Sequence, residues 1–234
     1  MKLFPPTYCT ETANKLVDTC PYSMPGIRPA DAEYIMDKLF YLPNEAAVHE
    51  FGAWDMNMWK VLGYRFQNLL ITDSFAWKTR AGCQNMRNPD VWMEEIRTGK
   101  YTVVKHDIQH PLPDEFGKFD AVVSVSVLEH VVDDALALSH IYNSLKPGGE
   151  IVLTTEVNLY VGMNYRDDIA FRVYTPEELW SKLERAGFEV EKKIEPFNDE
   201  TFDTKMKEAM ANPGVLIHPY HHFCSAGITA RKPE

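Results

Sequence analysis

Three apolar runs in this chain end on residues that can hold a ligand. EAAVHEFG ends with Glu50 and Gly52, QNLLITD ends with Asp73, and YTVVKHD ends with Asp107. An open α/β sheet binds ligands beyond the carboxyl ends of its strands, so strand-end residues are the first candidates. A glycine just after the first strand lets backbone approach a ligand closely. An acid about 20 residues further on is placed to accept from a ribose diol. Asp107, at the third strand end, can accept from an adenine amino group. One such acid is weak evidence, since any exposed strand end can carry one. Three in register point to a nucleoside-type ligand. Ser124 to Ser126 and Glu156 to Asn158 end the next two apolar runs.

Other residues offer chemistry with a plainer alternative beside it. His130 follows the run FDAVVSVSV. Histidine titrates near neutrality, so it could take a proton from a hydroxyl nucleophile, or simply cap and pack its loop. Tyr160, Tyr165, Arg166, Asp167, Asp168, Arg172 and Tyr174 read either as surface polarity or as a lid. In a lid, Arg166 and Arg172 would grip a carboxylate, phosphate or sugar. His218, His221 and His222 form HPYHH. Adjacent strand residues point to opposite faces, and no Cys/Asp/Glu cluster accompanies them, so no metal is expected, although one of the three, His221 for choice, could face a substrate. Tyr142 and Lys146 have dehydrogenase-like YxxxK spacing, but no GxxxGxG precedes them and the pair reads as a decoy.

These residues need a parallel sheet beneath them. Apolar strands EAAVHEFG, QNLLITD, YTVVKHD, FDAVVSVSV and EIVLTTEV alternate with helical stretches, which predicts α/β architecture, a doubly wound, mostly parallel seven-stranded sheet covered on both faces. Helices are expected over ADAEYIMDKLF with Ile35, Leu39 and Phe40 inward, over 54–64 ending near Gly63, over WMEEIRTG, and over DDALALSHIYNSLK stopping at Pro147-Gly148-Gly149. Thr175-Pro176-Glu177-Glu178 is a helix start that leads into EELWSKLERAG. FEVEKKIE and HHFCSAGITARK then close the sheet, the last antiparallel. The expected organisation is an N-terminal arm and helix over 1–43 and a domain over 44–234, with substrate-side insertions near 158–174 and 197–220.

KFDAVVSVSVLEHVVD, a helix, then LKPGGEIVLTT resembles the class I S-adenosylmethionine-dependent methyltransferases, within them the small-molecule branch with its Rossmann-like fold. RVYTPEELWSKLERAGFEVEKK and HHFCSAGITARK are similar to the family's late helix and strands. The resemblance spans about residues 44–233. It implies S-adenosylmethionine as cofactor and S-adenosylhomocysteine as product. Carried over by position, it implies that Glu50, Gly52, Ala53 and Trp54 lie near the methionine part. Asp73 and Ser74 would lie near the ribose, Asp107 and Ile108 near the adenine, and Ser124 and Val125 near the sulfonium. His130 would face the substrate, as would Tyr165, Arg166, Arg172 and His221. The departure is HEFGAWDMNMW, where Trp54 and Met56 stand in place of further glycines. Trp54, Met56, Met58 and Trp59 read as core packing, or Trp54 as a cover for the cofactor or pocket mouth.

The chain has 234 residues, a net charge of −10 and no Lys/Arg-rich run, which argues against nucleic acid and anionic membrane as partners. No apolar run approaches the length of a membrane span. Cys9, Cys20, Cys83 and Cys224 have no CxxC spacing and read as free thiols, so a cytoplasmic protein is expected. The implied activity is O- or N-methylation of a small molecule or sugar-type biosynthetic intermediate, with a homodimer as the expected assembly. A non-catalytic methyltransferase-like scaffold is the alternative, supported by the depleted glycines. A nucleotide-sugar oxidoreductase or epimerase is a weaker rival.

Overall fold

A computed structural model describes residues 1–4, 29–54, 57–76, 88–99, 101–157, 163–166, 171–194 and 224–234. The run FDAVVSV forms β5 (Phe119–Val125), and its side chains are buried on both faces except at Asp120. Such a strand has to sit mid-sheet with helices above and below. Its neighbours are β2 (Ala47–Phe51) and β6 (Leu145–Val157), both parallel to it. Beyond β2 lie β3 (Asn68–Asp73) and β4 (Thr102–Lys105), also parallel. Beyond β6 lies antiparallel β10 (Cys224–Arg231), then β1 (Lys2–Phe4) at the edge. The order is therefore β1-β10-β6-β5-β2-β3-β4, with β9 (Glu189–Val190) also paired to β10. Outside this sheet, β7 (Met163–Arg166) and β8 (Phe171–Val173) form a two-stranded antiparallel ribbon.

Among the described residues five helices cover the two faces. On one face α1 (Pro29–Lys38), α2 (Met58–Arg65) and α3 (Pro89–Thr98) bury Ile35, Leu39, Leu62, Trp92 and Ile96 against Val48, Ile71 and Val123. On the other, α4 (Asp134–Ser144) and α5 (Pro176–Arg185) bury Leu138, Ile141, Leu179 and Leu183 against Phe51, Val122 and Leu153. Val48 and Phe51 serve opposite faces of one strand. The chain turns from β2 outward to β3 and β4, then returns to β5 on the other side of β2. That reversal leaves a crevice above β2 and β5 at their carboxyl ends.

The expected mostly parallel α/β sheet with an antiparallel last strand is present, and several details differ. FEVEKKIE contributes only the two residues of β9, and Lys2–Phe4, expected as irregular arm, takes the edge position. Phe40 is 74% exposed, because it lies beyond α1 under the Arg65 guanidinium at 5.4 Å. α2 runs through Gly63 to Arg65, which caps the Phe40 and Leu42 carbonyls at 2.7 Å each. A Cβ on Gly63 would lie 2.4 Å from the Tyr101 hydroxyl and 2.5 Å from its ring, so the glycine serves packing and not helix termination. α4 ends at Ser144, and LKPGG belongs to β6, where the ladder with β5 shifts register between Phe119 and Ala121. Gly149 fits there because its absent Cβ would lie 3.0 Å from the Lys146 and Phe119 carbonyls.

Candidate functional site

Three of the chain's exits from the sheet turn on left-handed residues around the crevice. Gly52 follows β2 with φ +68°, Phe75 follows β3 with φ +56°, and Ser126 follows β5 with φ +50°. Only glycine adopts that region without cost, so Phe75 and Ser126 are held there by their surroundings. The Gly52 amide donates to the Thr72 carbonyl at 2.8 Å, and the Ser126 amide donates to the Thr154 carbonyl at 2.9 Å. Gly52 also faces Val127 so closely that a Cβ would lie 2.4 Å from a Val127 methyl.

The crevice is a cavity of about 400 Å³, within the range of small-molecule sites. Of the residues singled out from sequence, Gly52, Trp54, Asp73, Ser74, Asp107, Ile108, Val125 and His130 line it together. Glu50 and Ala53 are buried beside this lining but outside it. Ser124 is fully buried, and its hydroxyl donates to the Phe51 carbonyl at 3.2 Å, toward β2.

Asp73 ties two of the turns together. Its Oδ2 accepts the Trp54 amide at 2.9 Å, and its Oδ1 accepts the Phe75 amide at 2.5 Å. Burial pushes its carboxyl above the usual range, the two amide donors pull it back, and the Asp107 charge adds to the rise. Each carboxylate oxygen keeps a second lone pair for a ligand hydroxyl. Asp107 lies two residues past the end of β4, half-buried, where its Oδ1 accepts the Gln109 amide at 3.0 Å. The Gln109 side chain bridges onward, its Oε1 accepting the Asp133 amide at 2.8 Å. Glu50 is buried with Oε2 lacking a hydrogen bond, and burial, then the Asp73 charge, raises its pKa well above the ordinary carboxyl value. His49, also fully buried, shares a hydrogen bond of 2.9 Å between Nε2 and Thr72 Oγ1. Burial lowers its pKa to about 3, with help from His106.

Trp54 is 5% exposed and meets the Phe75 ring edge-on at 5.7 Å, while Phe75 meets Trp92 in the same way at 5.9 Å. Its ring is thus at once part of the core stack and a wall of the cavity. Met56 lies outside the described residues. His130 sits in the 3₁₀ turn Leu128–His130, half-buried, with its amide donating to the Val127 carbonyl at 2.8 Å.

The remaining candidates are Arg172, Tyr165, Arg166 and His221. Arg172 does not line the cavity. It donates to the Val131 carbonyl and, at 2.6 Å, to the Val132 carbonyl. Tyr165 and Arg166 fall on β7, while His221 and the rest of HPYHH lie outside the described residues. Lys146 binds Asp120 at 2.8 Å, at the opposite end of β5, and Tyr142 packs on Phe188, so the YxxxK pair has no part in the cavity. His106, Gln109, Ser126, Val127, Val131 and Val132 also line the cavity. Ser126 belongs to the strand-end group Ser124 to Ser126 that the sequence offers, and Val127 beside it could have been found in the same way; Gln109 carried no signal, since only the fold brings it between Asp107 and Asp133.

Known proteins share this architecture. A methyltransferase domain family matches residues 77–153. A Mycolicibacterium smegmatis protein named as a probable S-adenosylmethionine-dependent methyltransferase is 35% identical over 145 residues, 55% of this chain and 55% of that protein. The chain therefore spans about half the length of that relative. Among solved structures, the [4+2]-cyclase SpnF is 19% identical with a TM-score of 0.60, over 88% of this chain and 82% of that one. The Burkholderia thailandensis 1,6-didemethyltoxoflavin-N1-methyltransferase, with bound 1,6-didemethyltoxoflavin and S-adenosylhomocysteine, is 16% identical with a TM-score of 0.60, over 96% of this chain and 87% of that one. At these identities the structures establish the fold. The fold, the domain match and the relative together bear out the resemblance to the class I S-adenosylmethionine-dependent methyltransferases.

Proposed function

We propose that this chain, which carries the class I methyltransferase fold, is an S-adenosylmethionine-dependent methyltransferase. Its acceptor is a small molecule or sugar-type intermediate, methylated on oxygen or nitrogen. The observation that carries the reading is the grouping of Gly52, Asp73 and Asp107 around one cavity at the topological switch point. The cavity suits such a cofactor in kind. Asp73 and Asp107 offer acceptors in series for ribose hydroxyls and an adenine amine, Ile108 offers an apolar surface for the base, and Gly52 makes the turn out of β2 that brings backbone to the cavity, with Val127 packed against it. Among the described residues no group of His, Cys, Asp and Glu could hold a metal ion. None of their helices is long and apolar enough to cross a membrane.

The bound cofactor supplies an electrophilic methyl carbon on a sulfonium. The protein's own work is alignment and exclusion of water. Asp73 and Asp107 fix the nucleoside end, the turns at Gly52 and Ser126 set the depth of the other end, and His130 faces the acceptor. With a hydroxyl acceptor, a ring nitrogen of His130 takes the proton. With a deprotonated amine acceptor no base is needed.

Titration with S-adenosylmethionine, S-adenosylhomocysteine and NAD tests the reading. Micromolar binding of the first two, weakened at least tenfold in Asp107→Ala, is expected. No binding of either at millimolar concentration would overturn it. That result would favour a non-catalytic methyltransferase-like scaffold, a reading supported by the packing of Val127 on Gly52 and by the Trp54 wall. The cyclase with the same fold is a reminder that turnover has to be assayed separately from binding.

A further inference from the structure

One wall of the cavity is a short segment, and side chains from elsewhere in the fold hold it from behind. His130, Val131 and Val132 line the cavity. Arg172, on β8, donates from Nη1 to the Val131 carbonyl and from Nη2 to the Val132 carbonyl at 2.6 Å. Tyr174, just past β8, places its hydroxyl 3.2 Å from the Leu128 carbonyl and 2.9 Å from Asp134 Oδ2. Asp134, the first residue of α4, is almost fully buried and pairs with Arg172 at 3.4 Å and with Lys182 of α5 at 2.8 Å. Tyr174 is itself fixed to the main sheet, its amide donating to the Glu156 carbonyl at 3.1 Å.

This arrangement exceeds what stability asks of a surface loop. Three carbonyls of this one loop, those of Leu128, Val131 and Val132, are held by side chains from β8 and the residue just past it. A planar guanidinium that reaches two neighbouring carbonyls and a buried carboxylate sets the orientation of that backbone, which a lysine ammonium on a flexible stem does not. We infer that Arg172 and Tyr174 are positioning residues for the cavity wall, acting through the 128–134 segment to set cofactor affinity and the placement of His130, without touching the ligand. The inference rests on the reading of the cavity as a cofactor site. It also gives the β7–β8 ribbon a task, because the strand that grips the wall is the one joined to the inserted segment after β6.

The test measures S-adenosylhomocysteine affinity by calorimetry, and amide hydrogen exchange over residues 127–133 without ligand, in wild type, Arg172→Ala, Arg172→Lys and Tyr174→Phe. Ile228→Ala, a buried change on β10, is the control for lost stability. Expected are at least tenfold weaker binding and faster exchange in Arg172→Ala, only partial recovery in Arg172→Lys, and about threefold weaker binding in Tyr174→Phe. Ile228→Ala should lower the melting temperature yet keep its affinity within twofold. Unchanged affinity in a folded Arg172→Ala protein would overturn the inference. So would weaker binding with unchanged exchange, since Arg172 would then contact the ligand itself. Absence of binding by the wild-type protein would instead overturn the cofactor reading, and the inference with it.

Discussion

Gly52 is the residue on which the cavity floor depends, for two separable reasons. Its φ of +68° disfavours any side chain, and the nearest Val127 methyl leaves no room for one. Gly52→Ala should cost about 1 kcal/mol for the backbone and about 1–3 kcal/mol for overpacking. Adding Val127→Ala should recover the second part and leave the first. Urea unfolding of both single variants and the double variant reads this directly, and strict additivity would contradict the steric account. Glu50 shows the opposite situation, a site residue kept at a cost. Its carboxyl is held toward the neutral form by burial, so its folded pKa lies above the unfolded one. Such a group favours folding at pH values below its ordinary pKa and disfavours it as pH rises. Glu50→Gln should therefore raise stability at pH 7, with the gain shrinking as pH falls toward 4, and a constant gain across that range would refute this. The sequence made Glu50, Asp73 and Asp107 visible because carboxylates at strand ends stand out. It could not show that both Asp73 oxygens already hold backbone amides, since the second of those turns is set by tertiary packing.

Elements with local signals were legible in full, and those shaped by neighbours were not. The start of α5 is spelled out by Thr175, Pro176 and Glu178, and the structure contains the complete capping box. The Glu178 amide donates to Thr175 Oγ1 at 3.1 Å, and the Thr175 amide donates to Glu178 Oε2 at 2.8 Å. Thr175→Ala should cost about 1 kcal/mol, seen as a lower urea midpoint with unchanged slope. A loss below about 0.3 kcal/mol would mean that packing of Leu179 and Leu183 alone holds the helix. LKPGG misleads for a contrasting reason. Pro-Gly-Gly reads locally as a stop, yet β6 runs through it as an irregularity in the ladder with β5, where Gly149 is wanted for close carbonyl approach. Gly63 misleads likewise, because it admits the Tyr101 ring from β4's approach and its helix runs on to Arg65. In both cases the glycine answers to a residue far away in sequence.

At the scale of the whole molecule, the alternation of apolar strands with helices was enough to derive the sheet and the crevice, because right-handed crossovers leave few topologies open. The edge strand Lys2–Phe4 was not derivable, since three residues give no periodicity and their partner among the described strands, β10, is far away in sequence. The same central sheet makes an acid-side prediction. His49 is buried between Phe51 and Phe119 at 6.4 and 5.1 Å, and its folded pKa of about 3 lies below the unfolded value of 6.5. Above pH 6.5 neither state binds the proton and the neutral ring costs nothing. Between pH 6.5 and 3 the unfolded chain binds it and the folded one does not, so stability falls as the medium acidifies. Burial shifts His106 the same way, while Glu50 and Asp73, both raised, work against the trend. His49→Phe removes one of the titrating groups and suits the aromatic surroundings, at the expense of the Thr72 hydrogen bond. The variant should be less stable at pH 7 yet lose less between pH 7 and 5 than the wild type. Urea unfolding at those two pH values decides it, and equal losses in both proteins would show that His49 is not the group that titrates.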